Sequence, residues 1–419
     1  DAEKVFAKLQ SRDIVSWNSL ITGYTEHGYF EEAIQCLKHL KIENVSPNFV
    51  TFSCTLRACG RIRSVETGQY IHMELMKQAL DRDPLVNNSL IDMYAKFGWI
   101  SEAQEIFDQV SDHNLVSWTS LIAGYANNGL CDHALICFQR MQSEGILADI
   151  ASWTAIISGY VEHGETITAI NLCARVLEQG LLPNSAMFNS ILKACGQTES
   201  IDKGKQIHDE IVGKGLVVKD TVLGTALVDM YVKCGELGKA QEMFDELSIR
   251  DVVTWNSLIS GYTQQGRGEE ALNCFRRMQC DNISPDAVTF LCVLTACSHS
   301  GLVDEGLIHL RSMSRKYGLE PVIEHYTCML DLLGRAGHLD KAIIMMKEMP
   351  PSDYPVWSAL LAACEKWGNV KLGKLAFEQA VALDNMNSRS YVYMANIYAA
   401  AGMLEEKEKV EAMRLRISM

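Results

Sequence analysis

Apolar residues recur along this chain at the spacing of an amphipathic helix. In the segment that starts at Trp17, the residues Leu20, Ile21 and Tyr24 follow at the third, fourth and seventh places, which puts them on one helix face. A glycine such as Gly28 ends the segment, as expected for a left-handed helix end. A second apolar-patterned segment then starts with acidic residues, which are favourable at a helix N-terminus. The pattern predicts pairs of helices joined by glycine turns.

The helix pairs repeat along the sequence. The string WNSLITGY at 17–24 returns as WTSLIAGY at 118–125, WTAIISGY at 153–160 and WNSLISGY at 255–262. Repeats of two other wordings lie between them, one with LxAC as in LRACG at 56–60 and one with DMYxK as in SLIDMYAKFG at 89–98. Laid end to end, they give ten repeats of 31, 35 or 36 residues: 14–48, 49–83, 84–114, 115–149, 150–184, 185–220, 221–251, 252–286, 287–322 and 323–353.

The twentieth position tests this register, because it was not used to set it. It is small in every repeat: Ala33, Gly68, Ala103, Ala134, Ala169, Gly204, Ala240, Ala271, Gly306 and Ala342. A residue restricted to Ala or Gly is what a close crossing of two helices requires. A hairpin of about 35 residues cannot bury both of its faces alone, so successive hairpins must stack. We therefore predict an all-α solenoid of helix-turn-helix repeats.

The two ends of the chain depart from the regular repeat. Residues 1–13 match the second helix of a short repeat, so they are predicted to be the remnant of a preceding one. Residues 354–419 keep the hairpin pattern twice without the ordinary terminal loop, and the last hairpin resembles a tetratricopeptide unit. The chain opens at Asp1 without an initiator Met, so we expect a fragment of a longer protein.

Composition adds constraints on compartment and partners. The chain has 419 residues, of which 48% are apolar, and a formal charge of −14 from 38 Lys and Arg against 52 Asp and Glu. No apolar run reaches the roughly 18 residues of a membrane span. None of the 14 cysteines is spaced C-x-x-C, which favours a reducing compartment without disulfides. The acidic total argues at first sight against nucleic acid, since phosphate binding normally requires a surplus of basic residues.

The length series, the LxAC and DMYxK strings and the terminal hairpins together resemble the pentatricopeptide repeat (PPR) family, and the alternation of ordinary, long and short repeats resembles its plant PLS subclass. The resemblance covers essentially the whole chain, although 115–149 and 150–184 are two ordinary repeats in succession where a long one is expected. It implies a right-handed superhelix like that of tetratricopeptide repeats, with ten PPR repeats at 14–353 and two E-type hairpins at 354–419. It also implies binding of single-stranded RNA at one nucleotide per repeat.

The resemblance places base reading at the fifth and last positions of each repeat, and both positions are polar here. Because Asn and Asp are also common just before a helix, the last position alone has a structural alternative. The pairs expected to read bases are Asn18 with Asn48, Asn88 with Asn114, Thr119 with Asp149, Thr154 with Asn184, Thr225 with Asp251, Asn256 with Asp286, and Thr327 with Asp353. By similarity to the family's code, they imply the RNA site Y-x-Y-G-A-x-G-U-x-G. Long repeats are expected to read poorly, and Leu291 with Val322 has no hydrogen-bonding group.

Other positions carry weaker expectations. The aliphatic second residues Val15, Val116, Val222 and Val253 are implied to sandwich the bases, with packing in the core as the alternative. The thirteenth residues Lys96, Lys233 and Arg335 of the short repeats, and Arg61 of a long one, are expected to contact phosphates, with solvated helix-end charge as the alternative. The fourth position carries Trp17, Trp118, Trp153, Trp255 and Trp357, which are predicted to pack between helices instead of stacking on bases.

No catalytic constellation accompanies these repeats. A cytidine deaminase zinc site needs H-x-E followed by C-x-x-C. The chain has H-x-E at His72 and His208, both at the same place in long repeats, and again at His163, but no C-x-x-C. We therefore expect no enzyme activity, no catalytic or metal-binding residue and no cofactor.

The hypothesis that follows is a sequence-specific RNA-binding factor for C-to-U editing of organellar transcripts. By resemblance, its partners are a DYW-type deaminase-bearing protein and MORF-type accessory proteins, with no membrane, and its compartment is the mitochondrion or alternatively the chloroplast. A role in RNA splicing, stability or processing is the second hypothesis. A tetratricopeptide-like protein-binding scaffold is the third, and it would need Lys and Arg clamps instead of the Asn, Thr and Asp pairs. The carboxylates at second-helix starts lie away from the expected RNA wall, so the net charge does not exclude RNA.

Overall fold

The computed structural model describes residues 6, 12–78, 80, 83–110, 113–216, 221–348 and 354–417. The described residues form helices and connecting turns, with no β-strand. The helices are α1 Ile14–Glu26, α2 Phe30–Ile42, α3 Phe49–Ile62, α4 Val65–Lys77, α5 Pro84–Phe97, α6 Ile100–Asp108, α7 Leu115–Asn127, α8 Cys131–Ser143, α9 Ile150–Glu162, α10 Thr166–Glu178, α11 Ser185–Gln197, α12 Ile201–Gly213, α13 Thr221–Lys233, α14 Leu237–Glu246, α15 Val252–Gln264, α16 Gly268–Cys280, α17 Ala287–Ser300, α18 Val303–Tyr317, α19 Ile323–Arg335, α20 Leu339–Glu348, α21 Tyr354–Trp367, α22 Val370–Leu383, α23 Ser388–Ala400 and α24 Leu404–Ile417.

Each predicted repeat start coincides with the first residue of a helix, from Ile14 to Ile323, and the two terminal hairpins start at Tyr354 and Ser388. The predicted all-α helical-repeat architecture is confirmed. The chain divides into two compact units, residues 1–198 and 199–419, where the sequence predicted one uninterrupted array. The division falls between α11 and α12, within the long repeat 185–220.

Helix packing inside each compact unit follows the order of the repeats. From α1 to α11, each second helix packs between its own first helix and the first helix of the next repeat, and consecutive first helices also touch. The same arrangement runs from α12 to α20 in the second unit, where α21 then packs on α19. The apolar faces are therefore buried by neighbouring repeats, as expected for a hairpin too small to have its own core.

The fourth-position tryptophans fill the space between repeats. Trp118, Trp153 and Trp255 are fully buried and Trp17 nearly so, whereas Trp357 is half-buried. The four buried rings each meet a phenylalanine edge to face: Phe6, Phe107, Phe138 and Phe244, with ring centroids 4.5 to 4.7 Å apart. The predicted packing role is confirmed for these four, and none of them is exposed for base stacking.

Small residues mark the closest helix crossings. Every alanine at the twentieth position is fully buried, and the glycines there, Gly68, Gly204 and Gly306, are also buried. A tenth-position glycine marks a second crossing, between consecutive first helices. A Cβ added to Gly159 would lie 2.5 Å from the Cβ of Ala126 and 3.1 Å from its Cα. Because the obstacle includes backbone, a side chain at Gly159 requires the two helices to separate.

This crossing predicts different effects of one substitution at two equivalent sites. Gly159→Ala should destabilise the chain by about 1 to 3 kcal/mol, because the added methyl overpacks α9 against α7. Gly23 has the same repeat position, but a Cβ there meets nothing within 4 Å. Gly23→Ala should therefore be neutral or stabilise by about 0.5 to 1 kcal/mol through helix propensity. Urea unfolding midpoints measure both; equal effects would contradict the close crossing.

Candidate nucleic-acid interface

The last residue of a repeat caps the first helix of the next repeat. The side-chain oxygen of the cap accepts the backbone N–H of the third helix residue, which satisfies a donor that the helix itself leaves unpaired. The residues that cap in this way are Asn48, Asp83, Asn114, Asp149, Asn184, Asp251 and Asp286. Helix capping, the structural alternative considered for the last position, is therefore present in the structure. The cap bond engages Oδ1 and leaves the second polar atom of each side chain, Nδ2 or Oδ2, outside the cap.

In two repeats the capping residue is also bonded to the fifth residue. The Nδ2 of Asn18 donates to Oδ1 of Asn48 at 3.0 Å, and the hydroxyl of Thr51 donates to Oδ1 of Asn18 at 2.6 Å. The later repeat reproduces both distances: Asn256 Nδ2 to Asp286 Oδ1 is 3.0 Å, and Thr289 Oγ1 to Asn256 Oδ1 is 2.6 Å. The predicted pairs Asn18 with Asn48 and Asn256 with Asp286 are thus brought together, each with a threonine from the next repeat.

Two threonine repeats use a hydroxyl bridge instead of a direct bond. The Oγ1 of Thr119 lies 2.8 Å from Ser152 Oγ, which donates to Asp149 at 2.7 Å. In the same way Thr225 Oγ1 lies 2.7 Å from Thr254 Oγ1, which donates to Asp251 at 2.7 Å. In both, the bridging hydroxyl again comes from the third residue of the next first helix. The predicted reading pairs are therefore connected through a third side chain.

The remaining predicted pairs are less tightly connected. The Thr154 hydroxyl donates to the backbone oxygen of Ile150 at 2.6 Å and lies 3.4 Å from Oδ1 of Asn184. No hydroxyl bridges this pair, because the third residue of the next helix is Met187. Asn88 and Asn114 line one small recess, without a hydrogen bond between them in the described structure. Thr327 donates to the backbone oxygen of Ile323, and its predicted partner at position 353 lies outside the described residues.

Two of the long repeats, 49–83 and 287–322, differ in a way that fits the expectation of poor reading. Ser53, the fifth residue of repeat 49–83, is buried and pairs at 2.6 Å with Ser89 instead of the capping Asp83. In repeat 287–322 the pair is Leu291 and Val322, and the next third residue is His325, whose Nδ1 accepts the Val322 N–H. Neither repeat presents a linked polar pair to solvent.

Burial and hydrogen bonds act in opposite directions on the Asp286 carboxylate. Burial favours the neutral form, but hydrogen bonds from the Thr289 N–H and the Asn256 amide outweigh it and lower the pKa of Asp286. The group is therefore ionised at neutral pH. Its capping stabilisation is present above the unfolded value near 3.8 and is lost as the pH falls through the lower folded value.

The second-position side chains lie on the surface beside these pairs. Val15 is 66% exposed and Val116, Val222 and Val253 are 57%, 60% and 55% exposed. They do not pack in the core, so the alternative interpretation does not hold for them. Within each of these repeats, an exposed aliphatic side chain near polar groups offers both apolar contact and hydrogen bonds to a flat ligand. Base contact by these residues remains a prediction.

The expected phosphate-contacting cations fall into two classes. Each cation of the short repeats forms an ion pair with an aspartate one turn earlier: Lys96 with Asp92 at 2.5 Å, Lys233 with Asp229 at 2.6 Å and Arg335 with Asp331 at 2.9 Å. Arg61 is exposed and has no ion pair among the described residues. Pairing reduces the net charge that the short-repeat cations offer to a phosphate. Among these four residues, Arg61 alone presents its full charge.

The two H-x-E histidines of the long repeats have structural partners. His72 Nδ1 lies 2.9 Å from the Tyr94 hydroxyl and His208 Nδ1 lies 2.6 Å from the Tyr231 hydroxyl, so both bond to the next repeat's first helix. In the described part of the chain, one group of three side chains has metal-ligand geometry: Cys297, Glu305 and His309. Glu305 in that group is already within 3.5 Å of the Arg276 guanidinium, whose charge opposes a cation.

The third-position residues that join the pairs were not predicted from the sequence. Thr51, Ser152, Thr254 and Thr289 are all buried, and their hydroxyls point at the fifth or last residue of the preceding repeat. A signal was present in the register, since Ser or Thr occupies this position in all four ordinary repeats and in two of the three long ones. Its contact with the preceding repeat depends on how the two helices pack, which the residue pattern does not specify.

Family models match much of the chain. The model described as PPR repeat family matches residues 12–61 and 250–299, and the pentatricopeptide repeat domain model matches 137–198. The model described as PPR repeat matches 88–115, 116–146, 186–216, 225–252 and 324–350. All of these ranges lie within the ten predicted repeats or at their borders.

Curated relatives from Arabidopsis thaliana match along the whole chain. A mitochondrial pentatricopeptide repeat-containing protein is 34% identical over 418 residues, which cover 100% of this chain and 59% of that protein. The chloroplastic pentatricopeptide repeat-containing protein CRR2 is 36% identical over 419 residues, covering 98% of this chain and 58% of that protein. The chain thus spans little more than half the length of these relatives.

Solved structures show the same fold at low sequence identity. The crystal structure of the pentatricopeptide repeat protein PPR10 from maize has a TM-score of 0.59 and 18% identity, covering 100% of this chain and 66% of that one. PPR10 in complex with an 18-nucleotide psaJ RNA element has a TM-score of 0.56 and 16% identity, covering 100% of this chain and 77% of that one. Among the described helices, none combines the length and the hydrophobicity that a transmembrane span requires.

The capping geometry predicts which changes at the last position harm stability. Asp149→Ala should lower the free energy of unfolding by about 0.5 to 2 kcal/mol, because the Ser152 N–H loses its acceptor. Asp149→Asn should cost much less, because an amide oxygen caps equally at Asn184, where it accepts the Met187 N–H at 2.8 Å. Thermal unfolding of the two variants measures this. Equal losses would show that the cap bond is not what Asp149 contributes to stability.

Proposed function

The chain belongs to the pentatricopeptide repeat family, and from that membership we propose that it binds single-stranded RNA in a sequence-specific manner. The observation that carries the proposal is a fifth residue joined to the last residue, directly or through a hydroxyl, with an exposed aliphatic second residue on the same helix. This set recurs in repeats 14–48, 115–149, 221–251 and 252–286. One such set is suited to one base: the aliphatic side chain contacts its face and the polar pair contacts its edge. The RNA-bound structure of the relative PPR10 supports this choice of ligand.

The free polar groups of the two Asn repeats match different pyrimidines. In repeat 252–286, Asn256 keeps one Nδ2–H donor and Asp286 keeps its Oδ2 acceptor. Uracil offers the complement, a carbonyl oxygen beside the N3–H. In repeat 14–48, Asn48 has Oδ1 in the helix cap, so its free group is the Nδ2 donor. A donor suits the N3 acceptor of cytosine. The geometry thus supports U as the base for repeat 252–286. For repeat 14–48, where a pyrimidine is expected, it favours C over U.

The whole proposed site is Y-x-Y-G-A-x-G-U-x-G, with the repeats 14–48 to 323–353 taking bases 1 to 10 in the 5′ to 3′ direction. The two bridged threonine pairs, Thr119 with Asp149 and Thr225 with Asp251, take G at bases 4 and 7, and Thr154 with Asn184 takes A at base 5. Each well-made polar pair discriminates between bases by about 1 to 3 kcal/mol in comparable recognition. The long repeats at bases 2, 6 and 9 contribute length without selection.

We further propose that the chain is a PLS-type specificity factor for C-to-U editing of transcripts in the mitochondrion or the chloroplast. The terminal hairpins support this, because they continue the repeat stack beyond the expected RNA 3′ end. Trp367 donates from Nε1 and Lys366 from Nζ to backbone oxygens at the end of α19, which fixes α21 to the last repeat. Such an anchored E-type extension suits the positioning of a DYW-type deaminase, with MORF-type proteins as accessory partners.

The state of organellar transcripts in plants that lack the protein distinguishes editing from the alternative role in splicing, stability or processing. In plants lacking the protein, editing should fail at a cytidine downstream of a sequence that fits the site. Normal editing combined with altered transcript ends or intron retention would instead support the alternative role.

A mobility-shift assay tests sequence-specific binding directly. The predicted ten-nucleotide RNA should bind more tightly than a scrambled RNA of the same composition. Equal binding of both RNAs, or binding of neither, would contradict the proposal. In the same assay, Thr154→Asn should move the preference at base 5 from A toward pyrimidine, because an amide donor replaces the hydroxyl. An unchanged preference at base 5 would remove Thr154 from the reading residues.

The two classes of cation predict different salt dependence. Arg61→Ala should reduce the slope of log affinity against log salt by about 1, because one phosphate contact is lost. Lys96→Ala should change the slope less, since Lys96 is already neutralised by Asp92 at 2.5 Å. Titrations of the predicted RNA at several salt concentrations measure both slopes. An unchanged slope for Arg61→Ala would exclude Arg61 from phosphate contact.

A further inference from the structure

The residue three places into a first helix touches the reading pair of the preceding repeat. Thr51, Ser152 and Thr289 are 0% exposed and Thr254 is 1% exposed, so these hydroxyls have no access to solvent. Each one instead contacts a fifth residue at 2.6 to 2.8 Å: Thr51 with Asn18, Ser152 with Thr119, Thr254 with Thr225 and Thr289 with Asn256. A buried hydroxyl placed in the same way in four repeats is a consistent element of the interface.

The consequence is clearest at Asn256, which is itself only 9% exposed. Its amide is held at both ends, with Nδ2 donating to Asp286 and Oδ1 accepting from Thr289. A primary amide has two N–H donors and one acceptor oxygen. With these two bonds made, the group left for a ligand is one N–H. Turning the amide over would place its oxygen against the Asp286 carboxylate and direct its N–H groups at the Thr289 hydroxyl.

We propose that the third residue of the following repeat is a positioning residue for base reading, so that three side chains from two consecutive repeats set the specificity of one repeat. The proposal rests on the RNA-binding function proposed above and extends it. Thr289 holds the Asn256 amide with a donor facing the base, and Thr51 does the same for Asn18. At Thr119 and Thr225 the bridging hydroxyl fixes the distance between the fifth residue and the capping aspartate.

Repeats that are followed by a third residue without a hydroxyl provide natural comparisons. Repeat 150–184 is followed by Met187, and there the fifth and last residues are joined only by the 3.4 Å contact between Thr154 and Asn184. The poorly reading long repeats 49–83 and 287–322 are followed by Val86 and His325, which also lack a hydroxyl. We therefore expect base 5 to be discriminated less sharply than bases 4, 7 and 8.

The test uses Thr289→Val in the full chain, because valine keeps the shape of threonine and removes only the hydroxyl. Binding is measured to the predicted ten-nucleotide RNA with U, C, A or G at base 8. Thr289→Val should reduce the preference for U about three- to ten-fold, as expected for one lost hydrogen bond. Discrimination at base 4, which depends on Thr119 and Asp149, should be unchanged. Thr289→Ser, which keeps the hydroxyl, should restore the preference for U.

Thr263→Val is the matched control. Thr263 lies on α15 with Asn256 and is 4% exposed, but its hydroxyl donates to the backbone oxygen of Ile259 at 2.8 Å. The Thr263→Val variant should lose about as much stability as Thr289→Val, but it should keep its selectivity at base 8. If Thr289→Val does not fold, Thr51→Val tested at base 1 takes its place. Its control is Thr55→Val, whose hydroxyl donates to the backbone oxygen of Thr51 at 2.9 Å.

The outcomes separate this proposal from the function on which it rests. If the unaltered chain shows no base preference anywhere in the site, the proposed function fails and the positioning role fails with it. If the unaltered chain prefers U at base 8 and folded Thr289→Val shows the same preference, only the positioning role is overturned. A loss of selectivity in Thr263→Val equal to that in Thr289→Val would also overturn it, since a general effect of buried threonine would then explain both.

Discussion

The cap bond between the last side chain of one repeat and the third N–H of the next is the interaction on which the candidate interface depends. It is made at Asn48, Asp149, Asn184, Asp251 and Asp286, among others. The bond fixes where each first helix begins and commits one oxygen of the capping side chain. What remains is a single, oriented polar atom beside the fifth residue. A residue needed for helix formation therefore also presents a defined group to a ligand.

Close packing of the helices keeps these groups at a regular spacing. Alanine and glycine at the crossings allow the repeats to approach, and buried tryptophans with their phenylalanine partners fill the space between them. Because the reading positions lie on first helices that contact one another directly, the separation of two reading pairs is set by backbone packing within each compact unit. A ligand with a regular repeat, such as an extended strand of nucleotides, suits that constraint. The acidic charge is no obstacle, since many carboxylates lie at second-helix starts, as at Glu31, Glu32, Glu269 and Glu270.

Much of this organisation was predictable because periodicity is local. The helix starts, the small twentieth residue and the burial of Trp118 and Trp153 all follow from a register that can be read from the chain. Side-chain geometry between repeats was not predictable in this way. The Thr289 hydroxyl, the pairing of Lys96 with Asp92 and the burial of Ser53 against Ser89 each depend on rotamers and on helix separation. The division at residue 198 was likewise missed, because the repeat pattern continues across it unchanged.

Selection of bound RNA from a fully randomised pool is the most direct test of whether each linked pair recognises one base, since it assumes no target. We expect enrichment of a motif with G, A, G and U at the fourth, fifth, seventh and eighth places, pyrimidines at the first and third, and no preference at the second, sixth and ninth. Enrichment of a motif unrelated to this order would contradict the assignment of one base to each linked pair. Recovery of RNA without any shared motif would contradict sequence-specific binding itself.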